Sequence, residues 1–348
     1  MSADAKKVLV VGPAWVGDMV MSQSLYTFLK QTRPGVAIDV LAPQWSEPIL
    51  ARMPEVDTAI IMPIGHGELG LGRRRKLGKS LRQKGYDQAI LLPNSLKSAI
   101  TPFLAGIPLR TGWRGEMRYG LLNDMRRLDE ARLPLMVQRF VALGQTPDAI
   151  LPDQLPPPLL LVDDANVMAA ANKFGLDRAR PLLALCPGAE FGAAKRWPAE
   201  YYAQLANNYL TQGWQVVLYG SPNDEQVTDE IRSLTKNHQA CFNLAGRTQL
   251  SEVVDLLSLS TAVVSNDSGL MHIAAALDRP MVVVYGPTSD KFTPPLSGAA
   301  RALVPTIDCA PCFERECPLV HHRCMRELLP DRVITELDQL RSADESVL

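Results

Sequence analysis

Four strand-to-helix transitions and one cysteine cluster carry the side chains of this 348-residue chain that can do chemistry. The first transition is Gly12-Pro-Ala-Trp-Val-Gly17-Asp18, directly after an apolar run. A glycine-containing turn lets backbone approach a ligand, and the helix that follows offers an anion-favouring N-terminus. The segment is neither a GxGxxG dinucleotide fingerprint nor a Gly-Lys-Ser/Thr phosphate loop. Asp18 reads in two ways, as the N-cap of the next helix or as a general base. The second transition is Pro187-Gly-Ala-Glu190-Phe-Gly-Ala-Ala-Lys195-Arg196-Trp197-Pro198. Pro198 suits a first helical turn, and Lys195 and Arg196 suit an anion such as a diphosphate, or are two solvated cations.

The third transition is Val263-Val-Ser-Asn-Asp267-Ser268-Gly269-Leu-Met-His272. Backbone N–H groups at Ser268 and Gly269 suit phosphate, and His272 lies one turn on; Asp267 is otherwise a plain N-cap. No Gly-x-Ser-x-Gly elbow is present, so a serine-hydrolase reading fails. The fourth is Tyr219-Gly-Ser221-Pro-Asn-Asp-Glu225, where an acidic residue after a second strand can hold a ribose diol, or simply starts a helix. The cysteine cluster is Cys309-x2-Cys312-x4-Cys317-x6-Cys324, with His321 and His322 inside it. It resembles a metal knot but matches no standard zinc ribbon; reduced thiols or an adventitious disulfide are the other readings.

The elements that must position these groups are short strands alternating with helices. Strands are expected at Val8–Val11, Ile38–Leu41, Ala89–Leu92, Leu182–Cys186, Gln215–Tyr219, Ala262–Ser265 and Met281–Tyr285. Helices are expected at about Met19–Lys30, Glu47–Arg52, Gly72–Lys84, Ala199–Gln212, Asp224–Thr235, Leu250–Leu259, Leu270–Leu277 and Asp331–Arg341. That rhythm implies parallel sheets with crossover helices, and it starts twice. The proline-dense Leu151–Pro158 lies between the two runs, so the expectation is two doubly wound α/β domains, 1–160 and 161–348, facing a cleft. The C-terminal helix is free to return to the first. Length agrees, at roughly 100–200 residues per domain.

Net charge is −1, from 36 basic and 37 acidic side chains, which argues against a nucleic-acid coat. The halves differ: residues 1–160 hold 20 Lys/Arg and 14 Asp/Glu, and residues 161–348 hold 16 and 23. Much of the first excess is one run, Arg73, Arg74, Arg75, Lys76, Lys79, Arg82 and Lys84, with no acidic residue in it. Such a run is a solvated helix face or a surface for a polyanion or anionic membrane. The longest stretch without Asp, Glu, Lys or Arg, Tyr201–Asn223, contains Gln204, Asn207, Asn208 and Gln212, so no membrane span is expected. Val8–Val11 is too short for a signal-peptide core, which places the protein in the cytosol with mostly reduced or metal-bound cysteines.

Taken together these segments resemble the bacterial ADP-heptose:lipopolysaccharide heptosyltransferases of glycosyltransferase family 9. The resemblance covers about residues 7–300 and rests on the Gly12–Asp18 segment continued to Met19, on Leu92-Pro-Asn-Ser-Leu-Lys-Ser-Ala, and on Arg110-Thr-Gly-Trp-Arg-Gly-Glu-Met-Arg-Tyr-Gly-Leu-Leu-Asn-Asp124. Cys186–Pro198 and Asn266–Ala276 complete it, while the segment 309–324 departs from the family. The resemblance implies a GT-B fold of two Rossmann-like domains, acceptor on the first and nucleotide sugar on the second. It implies inverting, metal-independent transfer of L-glycero-D-manno-heptose from ADP-heptose to the first heptose of the inner core, with no cofactor. Asp18 is then the base and Lys195 the diphosphate cation. The donor set is Glu190, Ser221, Glu225, Thr248, Asp267, Ser268, Gly269 and His272. The acceptor, a phosphorylated lipid A–Kdo–heptose, is expected at Gly17, Arg73, Lys76, Lys97, Arg114 and Arg118. Peripheral contact with the cytoplasmic face of the inner membrane follows. Rival readings are a sister enzyme adding the first or a later heptose, and a non-catalytic lipopolysaccharide-binding module. A dehydrogenase lacks its fingerprint.

Overall fold

Aliphatic and β-branched runs bounded by polar turns favour strands that helices cover on both faces. In a computed structural model of the chain, which describes residues 6–65 and 67–345, these runs build two parallel sheets. The first contains β1 (Lys7–Val11), β2 (Ala37–Ala42), β3 (Thr58–Ile61), β4 (Gln88–Leu91), β5 (Leu109–Trp113) and β6 (Asp124–Arg126). Its order is β3-β2-β1-β4-β5-β6. The second contains β7 (Leu182–Cys186), β8 (Gln215–Leu218), β9 (Cys241–Asn243), β10 (Ala262–Asn266), β11 (Met281–Val284) and β12 (Ala300–Leu303), ordered β12-β11-β10-β7-β8-β9. Renumbered from its own first strand, the second sheet repeats the order of the first. The chain divides into two compact units after Pro158, at the end of the proline-dense segment.

Strand order reverses between β1 and β4, and again between β7 and β10. At such a switch point the loops leaving the carboxyl ends diverge and leave a crevice for a ligand. Register brings the strand ends together there: Val11 pairs with Leu91, and Ser265 with Cys186. All seven expected strands form. β3, β5, β6, β9 and β12 escape the pattern because they are short or carry polar and charged residues, such as Arg110, Asp124 and Arg301.

The expected helix over Met19–Lys30 is two, Val16–Met21 and Gln23–Thr32. Between them the buried Ser22 donates its hydroxyl to the Met19 carbonyl at 2.6 Å, a local bond that competes with the helical ladder. Helices also form at Leu96–Leu104, despite Pro102 inside, at Met136–Leu143 and at Asp164–Phe174, the last capped by Asp163. In the first unit Leu9, Val11, Leu41, Leu91 and Ile107 share a core. In the second, Trp197, Tyr202 and Tyr209 pack with the sheet, and the Pro330–Glu345 helix adds Val333, Leu337 and Leu340 to that core at helical spacing. Among the described residues no helix is long and apolar enough to cross a membrane.

Candidate functional site

The second unit gathers its polar groups where β7 and β10 end. Asn266, the last residue of β10, is fully buried. Its amide nitrogen donates to the Pro187 carbonyl at 2.7 Å. Its amide oxygen accepts the Tyr202 hydroxyl at 2.9 Å and the Trp197 N–H at 3.3 Å. One side chain thus ties both ends of the loop between Pro187 and Trp197 to the sheet. Trp197, itself buried, anchors the far end further by donating its indole N–H to the Leu328 carbonyl at 2.7 Å.

That loop delivers Lys195. Its Nζ lies 2.6 Å from Asp267 Oδ2 and 3.3 Å from the Asp267 carbonyl oxygen, and the two side chains are only 12% and 7% exposed. Thr288 donates its hydroxyl to the same Oδ2 at 2.6 Å. Asp267 is therefore no N-cap. Ser268 holds the cap position of the Gly269–Ala276 helix, yet its hydroxyl makes no cap bond and instead lies 3.2 Å from Ser265 Oγ. The N–H groups of that first turn carry partial positive charge and have no side-chain cap. His272, one turn along, is 5% exposed. Burial pushes its pKa down to about 4; Lys195 adds to the shift and Asp267 opposes it. It is a neutral imidazole at pH 7, able to hydrogen-bond but not to neutralise an anion.

The other residues expected to meet the donor stand on neighbouring loops of the same sheet edge. Ser221 is engaged by Asp224, whose Oδ2 accepts the Ser221 N–H at 3.0 Å and receives its hydroxyl at 2.7 Å. Asp224 also lies 3.8 Å from Arg196 and presses on Gly188, where a Cβ would meet Oδ2 at 2.6 Å. Glu225 is exposed at the start of the Glu225–Ser233 helix, beside Gly246. Glu190 is exposed on its loop, and Thr248 is half-buried with its hydroxyl 3.5 Å from the Leu244 carbonyl.

In the first unit Asp18 is the third residue of the Val16–Met21 helix, whose cap is Trp15, so the N-cap reading does not hold. Its side chain is half-buried, and Gly17 beside it is buried. The basic residues divide. Arg73 pairs with Glu68 and bonds the Pro63 carbonyl at 3.1 Å, and Lys97 bonds the Gly67 carbonyl at 3.1 Å, so both tether the loop before the Leu71–Arg82 helix. Lys76 and Arg114 are exposed. Arg118 corrects the expectation: it is fully buried, donating to the carbonyls of Pro93 (2.8 Å) and Trp113 and to Ser98 Oγ (3.3 Å). Burial lowers its pKa, and a guanidinium so enclosed holds the Pro93–Ser98 loop rather than meeting a ligand.

Cys309, Cys312 and Cys317 are half-buried, Cys324 is buried, and all four are free thiols. Burial pushes the Cys324 thiol up, and the neighbouring Cys317, Cys309 and Cys312 push it the same way. Among the described residues no group of three or more His, Cys, Asp or Glu side chains is placed to hold a metal. The motif reading missed Asn266 as a fastener and Thr288 as a partner of Asp267. Asn266 lies inside the third transition, directly before Asp267; Thr288, 21 residues from its partner, gives no local signal.

Comparison with known proteins gives a consistent answer. A family model described as glycosyltransferase family 9 (heptosyltransferase) matches residues 74–322. The chain is 51% identical over 347 residues to lipopolysaccharide heptosyltransferase 2 of Escherichia coli strain K12, covering 98% of this chain and 100% of that protein. It is 53% identical over 305 residues to lipooligosaccharide heptosyltransferase 2 of Haemophilus influenzae, covering 85% and 88%. The solved structure of E. coli ADP-heptose lipopolysaccharide heptosyltransferase II superposes with a TM-score of 0.89 at 48% identity, covering 97% of this chain and 99% of that one.

Proposed function

Because the chain belongs to glycosyltransferase family 9, the heptosyltransferases, we propose that it transfers L-glycero-D-manno-heptose from ADP-heptose to the first heptose of the lipopolysaccharide inner core. It is a glycosyltransferase of lipopolysaccharide core assembly. Likeness over the whole chain supports the substrates. The observation that carries the donor half is Lys195, paired with an Asp267 that Thr288 also grips, beside the uncapped Gly269–Ala276 helix.

In this reading the second unit binds the donor. Lys195 and the N–H groups at Ser268 and Gly269 take the diphosphate, and Glu225 takes the ribose. Glu190, Ser221, Thr248, Asp267 and His272 complete the lining. In the first unit Asp18 takes the proton of the acceptor hydroxyl as that oxygen bonds to the anomeric carbon. The bond from that carbon to the diphosphate oxygen breaks in the same step, configuration inverts, and ADP leaves with the electron pair. Fixed donors aimed at the leaving diphosphate stabilise the charge that develops there, with no metal required. Gly17, Arg73, Lys76, Lys97 and Arg114 contact the phosphorylated lipid A–Kdo–heptose acceptor, and the exposed basic helix faces the cytoplasmic surface of the inner membrane. Arg118 has no part in this.

The test is ADP release with ADP-heptose and a panel of truncated core acceptors. Turnover confined to the core ending in one heptose supports the assignment. Turnover on a core lacking heptose gives the first-heptose enzyme instead, and ligand binding with no ADP release on any acceptor gives a non-catalytic module.

A further inference from the structure

A donor diphosphate carries more than one negative charge, yet the cation assigned to it is already compensated: Lys195 pairs with Asp267 at 2.6 Å. Arg196 lies 3.8 Å from Asp224. A further cation stands against the same loop, and among the described residues it has no ion-pair partner. It is Arg315, exposed between Cys312 and Cys317 in the cysteine-bearing segment.

Three contacts fix it there. The Arg315 carbonyl oxygen accepts the Ala194 N–H at 3.0 Å, next to Lys195. Its backbone crosses Gly192 so closely that a Cβ at position 192 would strike that carbonyl, which is why only glycine fits. Its guanidinium lies over the Phe191 ring, 5.4 Å from the centroid, while Lys195 Nζ lies 4.9 Å from the same centroid. Phe191 thus gathers two cations on one aromatic ring, the attraction of each to the π-system offsetting part of their mutual repulsion.

We propose that Arg315 is a second diphosphate-binding cation of the donor site, delivered by the cysteine-bearing segment. This rests on the reading of the second unit as the donor half. A guanidinium stays charged at any working pH and donates charge-assisted hydrogen bonds to phosphate oxygens, so Arg315 supplies the charge that the Lys195–Asp267 pair lacks. The four cysteines then belong to the scaffold that presents it.

The experiment measures ADP affinity by calorimetry on the full-length protein and on the Arg315→Gln, Arg315→Lys and Lys195→Gln variants. Glutamine keeps the backbone carbonyl that holds Ala194 and removes only the charge. Arg315→Gln is expected to weaken ADP binding by about tenfold to a hundredfold, and Arg315→Lys to restore most of that loss. Unchanged affinity in Arg315→Gln overturns the proposal, and so does an equal loss in Arg315→Gln and Arg315→Lys, because charge is then not the cause. In both cases, wild-type binding that is sensitive to Lys195→Gln leaves the donor reading standing. A folded wild-type protein that does not bind ADP overturns the donor reading and Arg315 with it.

Discussion

β1 and β7 hold the same place in two sheets of one strand order, and each runs into a glycine-containing loop, yet the charged groups beyond them are held differently. Past β7, Lys195 is nearly buried and locked to Asp267, which Thr288 also grips. Past β1, Asp18 sits half-buried in the first turn of a six-residue helix. The first unit's cations also split by task. Arg74 and Arg118 are buried and hold backbone carbonyls, while Arg75, Lys76 and Lys79 face solvent. The net +6 of residues 1–160 and −7 of residues 161–348 therefore say little about which unit takes an anion. A few oriented groups at a strand end outweigh the sum over a domain, because water and salt screen the distant charges.

This contrast can be broken. The largest effect is expected for Asp18→Asn, which keeps shape and removes basicity. Turnover should fall by about a hundredfold to ten-thousandfold while ADP affinity stays unchanged. An equal loss of ADP binding would show that the units do not divide the work. Lys195→Gln should do the reverse, lowering kcat/KM for ADP-heptose by about a hundredfold or more and weakening ADP as well. Steady-state kinetics beside calorimetry separates the two.

The next effect is on stability. His272 has a folded pKa of about 4, below its ordinary value near 6.5. Above pH 6.5 both states are neutral and nothing is lost. As pH falls from 6.5 to 4 the unfolded chain takes up the proton first, so folding weakens by up to about 3 kcal/mol and then levels off. Urea unfolding at pH 7 and pH 4.5 should show the loss, and His272→Gln should flatten it. Thr288→Val removes one of the two grips on Asp267 and should weaken ADP by about fivefold. The smallest effect is expected from chelation: transfer measured in excess EDTA should match transfer without it.

Much of the fold was readable from pattern alone. Val8–Val11, Leu182–Cys186 and Ala262–Ser265 are short apolar runs bounded by turn residues and followed by helical patterns, and the prolines at 151–158 mark where the rhythm restarts. β5 and β6 were not readable, because Arg110, Thr111 and Asp124 become strand residues only through pairing with neighbours distant in sequence. The motifs after β7 and β10 were readable as strand-to-helix loops with anion-friendly ends. Arg118 misled because its motif is basic and its burial is set by Pro93, Ser98 and Trp113, which sequence spacing does not bring together. Asp18 and Asp267 each had two readings, and in both the cap reading fell once Trp15 and Ser268 were found at the cap positions.

Asn266 has one more consequence. Its amide nitrogen faces the Pro187 carbonyl, while its oxygen faces two donors, Tyr202 and Trp197. Aspartate has the same size and shape, but exchanging that NH2 for oxygen sets lone pairs against lone pairs at 2.7 Å. Deamidation at this one position would leave the core volume untouched and still repel the strand end that it now latches. The placement of the loop carrying Lys195 thus hangs on the identity of one buried side-chain atom, a dependence that no packing argument would flag.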